Sequence, residues 1–159
     1  MSKSQSQVRA QLYVAEKLLD QRSLTGAHVA SLEYAAKLCL KEAWTKWMHE
    51  LYQLLSPQKE ASVVNDWDAF VALLGEEHPE VQRLINLKST PDSWLSVLLR
   101  EIESLNFGAA PVTTPADENT GNMIPLRQLE QTPETSDLLS ILGGFKAYVA
   151  EVQAYLLEW

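Results

Sequence analysis

Cysteine is almost missing from this chain of 159 residues, where Cys39 stands alone. One thiol cannot close an internal disulfide, so packing must hold the fold, and a reducing, cytoplasmic setting is the expectation. Long hydrophobic runs are missing too. Charges recur every few positions through each apolar segment, and nothing approaches the ~18 uninterrupted apolar residues of a bilayer-spanning helix, so no membrane insertion is expected. The opening Met1-Ser2-Lys3-Ser4-Gln5-Ser6-Gln7 leads into a polar amphipathic stretch, not an apolar signal core. Period-two alternation is also lacking, and no hairpin dipeptide separates two β-branched runs, which leaves a sheet without a source. Positive charge is scarce. With 13 Lys and Arg against 21 Asp and Glu, the net charge of −8 argues against unaided nucleic-acid binding, where cations must neutralise phosphates.

What is present is material for a core. Hydrophobic residues make up 46% of the chain and five of them are tryptophan, enough for one domain spanning residues 1–159. Helical periodicity dominates. Val8, Leu12, Ala15 and Leu19 step by four, three and four and predict a first helix over 5–21, its face widened by Val14 and Leu18. Ser23-Leu24-Thr25-Gly26 breaks that pattern and supplies capping hydroxyls for a second helix over 27–55. One stripe of this helix contains Val29, Leu32, Ala36, Cys39, Ala43, Trp47, Leu51 and Leu54, and a second contains Tyr34, Leu38, Trp44 and Met48. Glu33 with Lys37, Glu42 with Lys46, and Lys46 with Glu50 mark its solvated side.

Pro57 stops this helix, and Val63, Trp67, Phe70 and Leu74 predict a third over 61–74, closed by Gly75. Pro79 suits a first helical position for a short helix carrying Val81, Leu84 and Ile85. Thr90-Pro91-Asp92 combines a hydroxyl cap, a preset proline and an acid, and predicts the start of a helix through Trp94, Leu98, Ile102 and Leu105. Residues 109–132 have the prolines and polar run of a long loop, with Met123-Ile124-Pro125-Leu126 as an apolar patch able to dock on the bundle. Thr132-Pro133-Glu134 then opens a C-terminal helix with a seam of Leu138, Leu142, Phe145, Val149, Val152 and Leu156. The seam keeps its phase across Gly143-Gly144, so the pair predicts a close crossing or a kink, not a break. The expected fold class is all-α, a helical bundle of four long helices plus one short helix, with a long loop before the C-terminal helix.

Chemistry is hard to find. No Glu-x-x-His pairs, phosphate loop, dinucleotide turn or nucleophile elbow occurs, and His28, His49 and His78 are far apart, so no metal or cofactor is expected. Cys39 sits within an apolar stripe, as a small buried hydrophobe would. Arg22 and His28 have the spacing of the Arg-x(4-6)-His motif and in those two residues resemble the helical HEPN ribonucleases. That resemblance implies catalysis by the pair, although in the family it opens a late helix and here it spans the turn between the first two. Trp44, Trp47, Trp67 and Trp94 are candidates for lining an aromatic pocket that takes a small molecule or nucleotide, and core packing is the competing role. Trp159 is a candidate anchor for a partner.

Three segments carry a broader likeness: Gln11-Leu12-Tyr13-Val14-Ala15, Ser31-Leu32-Glu33-Tyr34-Ala35-Ala36 and Pro91-Asp92-Ser93-Trp94-Leu95-Ser96-Val97-Leu98-Leu99. Across residues 8–105 the chain resembles an uncharacterised family of short helical bacterial proteins, which implies a cytoplasmic bacterial protein without a transferable catalytic signature. Charge adds one cue. Residues 1–60 hold eight Lys and Arg against six Asp and Glu, whereas residues 61–159 hold five against fifteen. The leading expectation is therefore a non-enzymatic interaction, adaptor or regulatory bundle that meets a protein partner or a second copy of itself. A ligand-binding bundle with an aromatic-lined pocket is the alternative.

Overall fold

The computed structural model describes the backbone over residues 3–24, 28–56, 64, 66–106 and 134–157, and side chains over 6–21, 28–56, 64, 66–106 and 137–156. The described residues form six α-helices and no strand: α1 (Lys3–Leu24), α2 (Val29–Leu55), α3 (Trp67–Leu74), α4 (Pro79–Ser89), α5 (Trp94–Asn106) and α6 (Glu134–Leu157). The all-α expectation holds, with a different division of lengths. Three helices of 22, 27 and 24 residues form the frame, and three of 8, 11 and 13 residues fill the space beside it. The loop expected over 109–132, with its Met123-Ile124-Pro125-Leu126 patch, lies outside the described residues.

α1 and α2 form an antiparallel hairpin, and α6 lies along both. The α1 stripe Val8, Leu12, Ala15 and Leu19 is buried as its spacing dictates, but Val14 is exposed and does not widen it. α2 is central. Along its C-terminal half Trp47, Met48, Glu50, Leu51 and Tyr52 are all buried, a wide arc that leaves Gln53 exposed. Glu50 therefore does not belong to the solvated face that its spacing from Lys46 predicted. Glu42 and Lys46 pair as expected, at 2.9 Å, and Lys37 Nζ also reaches Glu101 on α5 at 2.6 Å. Lys41 adds a second tie to α5, donating to Asn106 Oδ1 at 2.7 Å.

Caps set the ends of the shorter helices. α3 starts at Trp67, not at 61, because Asp66 caps it by accepting from the Ala69 amide at 2.8 Å. It stops at Gly75, whose φ of 89° a side chain would resist. Pro79 opens α4 as expected, with His78 Nδ1 accepting from the Glu80 amide at 3.2 Å. Thr90 does not start α5. Its hydroxyl and amide both turn back to the Asn86 carbonyl and close α4, Asp92 takes a φ of 62°, and Ser93 becomes the cap, accepting from the Ser96 amide at 3.1 Å. Two polar residues compete for one turn, and the serine wins the helix start because the threonine is already spent on the preceding helix.

α6 runs unbroken through Gly143-Gly144, and α5 comes close there. A Cβ at Gly144 would lie 2.5 Å from both Cβ and Cγ of Trp94, whereas one at Gly143 would meet nothing within 4 Å. The glycine lets the indole of Trp94 press against the α6 backbone and stack on Phe145, ring centroids 5.3 Å apart and 6° from parallel. One apolar cluster runs from Val8 on α1 through Leu51, Phe70, Val81 and Leu95 to Phe145 on α6, joining all six helices.

The two glycines should respond to alanine in opposite directions. Gly144→Ala is expected to lower unfolding stability by about 1–3 kcal/mol through overpacking at the root of a rigid indole. Gly143→Ala should raise it by up to about 1 kcal/mol through helix propensity alone. Urea denaturation followed by circular dichroism compares them, and equal effects of one sign would remove the close crossing as the reason for the pair.

Candidate functional site

The four tryptophans proposed as pocket walls do not converge on a cavity. Trp44 and Trp47 are buried to 2% and 0% exposure and are taken up by neighbouring rings. Trp44 meets Trp94 and Phe145 edge-on at 6.1 and 5.8 Å, and Trp47 meets Tyr148 edge-on at 6.0 Å. Trp94 closes this cluster and also shows one side to a surface recess. Trp67 stands apart on α3, under the ammonium of Lys88 at 5.1 Å, beside a separate recess of about 720 Å³. His28 is exposed at the start of α2 with a φ of 75°, while the side chain of Arg22 and the whole of Trp159 lie outside the described residues. Cys39 is half-buried, and burial pushes its thiol up, away from the nucleophilic thiolate. Among the described residues no three His, Cys, Asp or Glu side chains are grouped to hold a metal, and no helix is long and apolar enough to cross a membrane.

Polar and aromatic groups do converge between α4 and α6. These helices flank a groove whose two recesses, about 650 and 470 Å³, share Pro79, Arg83 and Glu151. The α6 wall carries Gly144, Ala147, Glu151 and Tyr155, residues spaced by three and four and so on one helix face. The α4 wall does the same with Pro79, Arg83 and Leu87, each four residues after the last. Thr90 and Trp94 close one end. Leu55, Leu156 and Tyr155 form the other, where the Tyr155 side chain is 64% exposed.

At the middle of the groove stands a polar knot. Tyr148, buried beneath it, donates its hydroxyl to Glu80 Oε1 at 2.5 Å. Arg83 lies over the Tyr148 ring with its guanidinium carbon 5.2 Å from the centroid, donates to Glu151 Oε2 at 2.6 Å and comes within 3.9 Å of Glu80. The Tyr148 phenol is raised far above its usual range, first by burial and then by the negative charge and hydrogen bond of Glu80, with Arg83 acting in the opposite direction. The Trp47 indole N–H is near the same oxygen but outside hydrogen-bonding geometry. Burial works against the charge of Arg83, and the carboxylates of Glu151 and Glu80 outweigh it. The Arg83–Glu151 strap across the groove is open to water at both ends, 39% and 63% exposed, so it contributes only about 0–1 kcal/mol.

A family model matches residues 1–159, that of a family of unknown function, DUF6586. The chain belongs to this family. No curated protein and no solved structure matches it. The family match extends past the 8–105 stretch on which the sequence likeness rested and takes in all of α6, so both walls of the groove fall inside it.

Glu80, Arg83, Tyr148, Glu151 and Tyr155 were not singled out from the sequence. A signal was present: on α6, Tyr148 and Tyr155 are seven residues apart with Glu151 between them, a second stripe beside the core seam. The buried phenol makes a measurable prediction. An acid raised in the folded state stabilises fully below its unfolded pKa, about 10 for tyrosine, and that stability is lost as pH rises beyond it. In an ultraviolet titration, Tyr148→Phe should leave the tyrosinate absorbance of the native protein unchanged and remove one tyrosine's worth from the alkali-unfolded protein. At neutral pH the same substitution should cost about 2 kcal/mol of stability through the lost bond to Glu80. A reduced native tyrosinate signal in the variant would mean that Tyr148 titrates freely.

Proposed function

We propose that the protein is a non-enzymatic interaction module, an adaptor or regulatory helical bundle, whose working surface is the α4–α6 groove. The observation that carries this reading is the pair of facing helix stripes left open to water. α6 buries Leu138, Ile141, Phe145 and Val149 in the core, yet turns a second stripe ending in the exposed Tyr155 toward α4 without α4 closing on it. A tyrosine so exposed, beside Val152, Leu156 and Leu55 and rimmed by charge, has the composition of a recognition surface: an aromatic anchor, an apolar floor and a polar margin. The burial of Trp44 and Trp47 by their own neighbours supports a packing role for them over that of walls for a small ligand. The acidic balance of residues 61–159 puts α4 and α6 in the negatively charged part of the chain.

Site-specific photo-crosslinking in the native cell tests the surface. A photoreactive phenylalanine analogue at position 155 should give discrete protein adducts, and the same analogue at the exposed Glu103 position on α5 should give none. Ala147→Trp, which fills the groove from α6, should abolish the adducts at 155. Adducts that are equal at both positions, or that persist when the groove is filled, would sink this assignment of the surface.

A further inference from the structure

We infer that the α4–α6 groove takes a basic amphipathic helix from a partner protein, and that Arg83 occupies the place of that helix's cationic side chain until it binds. This rests on the interaction reading above and adds the chemistry of the occupant. The groove is built for a helix. Its walls are two helices whose lining residues recur every three to four positions, the ridge spacing into which a third helix packs. An extended peptide gains affinity by main-chain pairing with a strand edge, and helical walls offer none. From Gly144 to Leu156 the α6 wall is about 18 Å long, room for roughly twelve helical residues.

The sign of the partner follows from the polar knot. Glu80 and Glu151 flank Arg83, so among the residues that line the groove two carboxylates meet one basic side chain of Lys or Arg type. Arg83 already displays the favoured contact, a guanidinium over the Tyr148 ring between two carboxylates. Its tie to Glu151 is solvent-exposed at both ends and easily exchanged for an incoming Lys or Arg. Val152, Leu156, Leu55 and the exposed ring of Tyr155 would receive the apolar face of the same helix.

Two synthetic helices of about 14 residues with identical leucine faces, one with lysine and one with glutamate on the polar face, test this by fluorescence anisotropy. The lysine helix should bind at least about tenfold more tightly than the glutamate helix, a difference of about 1.4 kcal/mol. Ala147→Trp should weaken it about tenfold, and Glu151→Gln by severalfold, while Glu103→Gln, an equal change in net charge on exposed α5, should have no effect. Arg83→Ala is expected to tighten binding by about threefold, since it removes the internal competitor; a purely structural arginine would give the reverse. Circular dichroism of each variant should match that of the parent. Equal binding of the two helices, indifference to Ala147→Trp, or weaker binding by Arg83→Ala would overturn the inference, as would self-association blocked by Ala147→Trp, which would assign the groove to a second copy. Failure of the lysine helix with crosslinking at position 155 intact would overturn only the stated chemistry and leave the interaction surface standing.

Discussion

The approach of Trp94 to the bare backbone of Gly144 organises the rest of the molecule. A tryptophan in the first turn of α5 cannot lie flat on a neighbouring helix unless that helix omits a side chain, and α6 omits one where the indole arrives. Stacked there on Phe145 and edge-on to Trp44, the indole joins three helices through rings alone. Because α5 is fixed in this way and α4 is tied to it through Thr90 and Ser93, the distance of α4 from α6 is set by the same contact. Ser93 both caps α5 and donates to the Leu87 carbonyl at 2.5 Å, so the turn between the helices has little freedom. The open groove is the space left between α4, positioned by α5, and α6, which reaches α4 through the Tyr148–Glu80 and Arg83–Glu151 bonds.

Tyr148 links that groove to the core. Its ring lies against Trp47 and Trp94, its hydroxyl holds Glu80, and its outer face supports Arg83. A surface arginine is thereby ordered by a buried aromatic, and a carboxylate at the start of α4 is oriented by a phenol from α6. Arg83 and Glu151 are both exposed enough that the pair contributes orientation more than stability. The floor of the groove is packed into the core and its rim is open to water, the division that the proposed binding surface would use.

Much of the fold was legible because helix periodicity reports burial directly. Val8, Leu12, Ala15 and Leu19, and the α6 seam from Leu138 to Val152, are buried where their spacing puts them. Local polar signals were less faithful. Thr90 reads as a helix start and serves as a helix end, and Glu50 reads as a solvated partner of Lys46 and is buried, since each outcome depends on a neighbour that the local pattern does not name. The groove was the least legible part. Arg83 and Glu151 are 68 positions apart, and tertiary packing, which no local pattern names, brings them within 2.6 Å. Of the tryptophans, Trp44 packs against Trp94 and Phe145 and Trp47 against Tyr148, contacts that no local spacing names.

The side of α6 that faces α1 bears on how the chain assembles. Gln153 accepts from Arg9 at 2.6 Å across 144 positions of sequence, and Lys146 pairs with Glu16 at 2.8 Å. The α1–α2 hairpin can form from local contacts on the timescale of helix pairing, whereas the bonds of α6 to α1 close almost the full length of the polypeptide and its stacking on α5 closes the long segment between Trp94 and Phe145. This connectivity favours early collapse of the hairpin and a slower docking phase for α6. Until that phase is complete, the apolar seam of the last helix and the hairpin face that it covers are both open to water, and the nascent protein passes through a stage in which its future core is its stickiest surface.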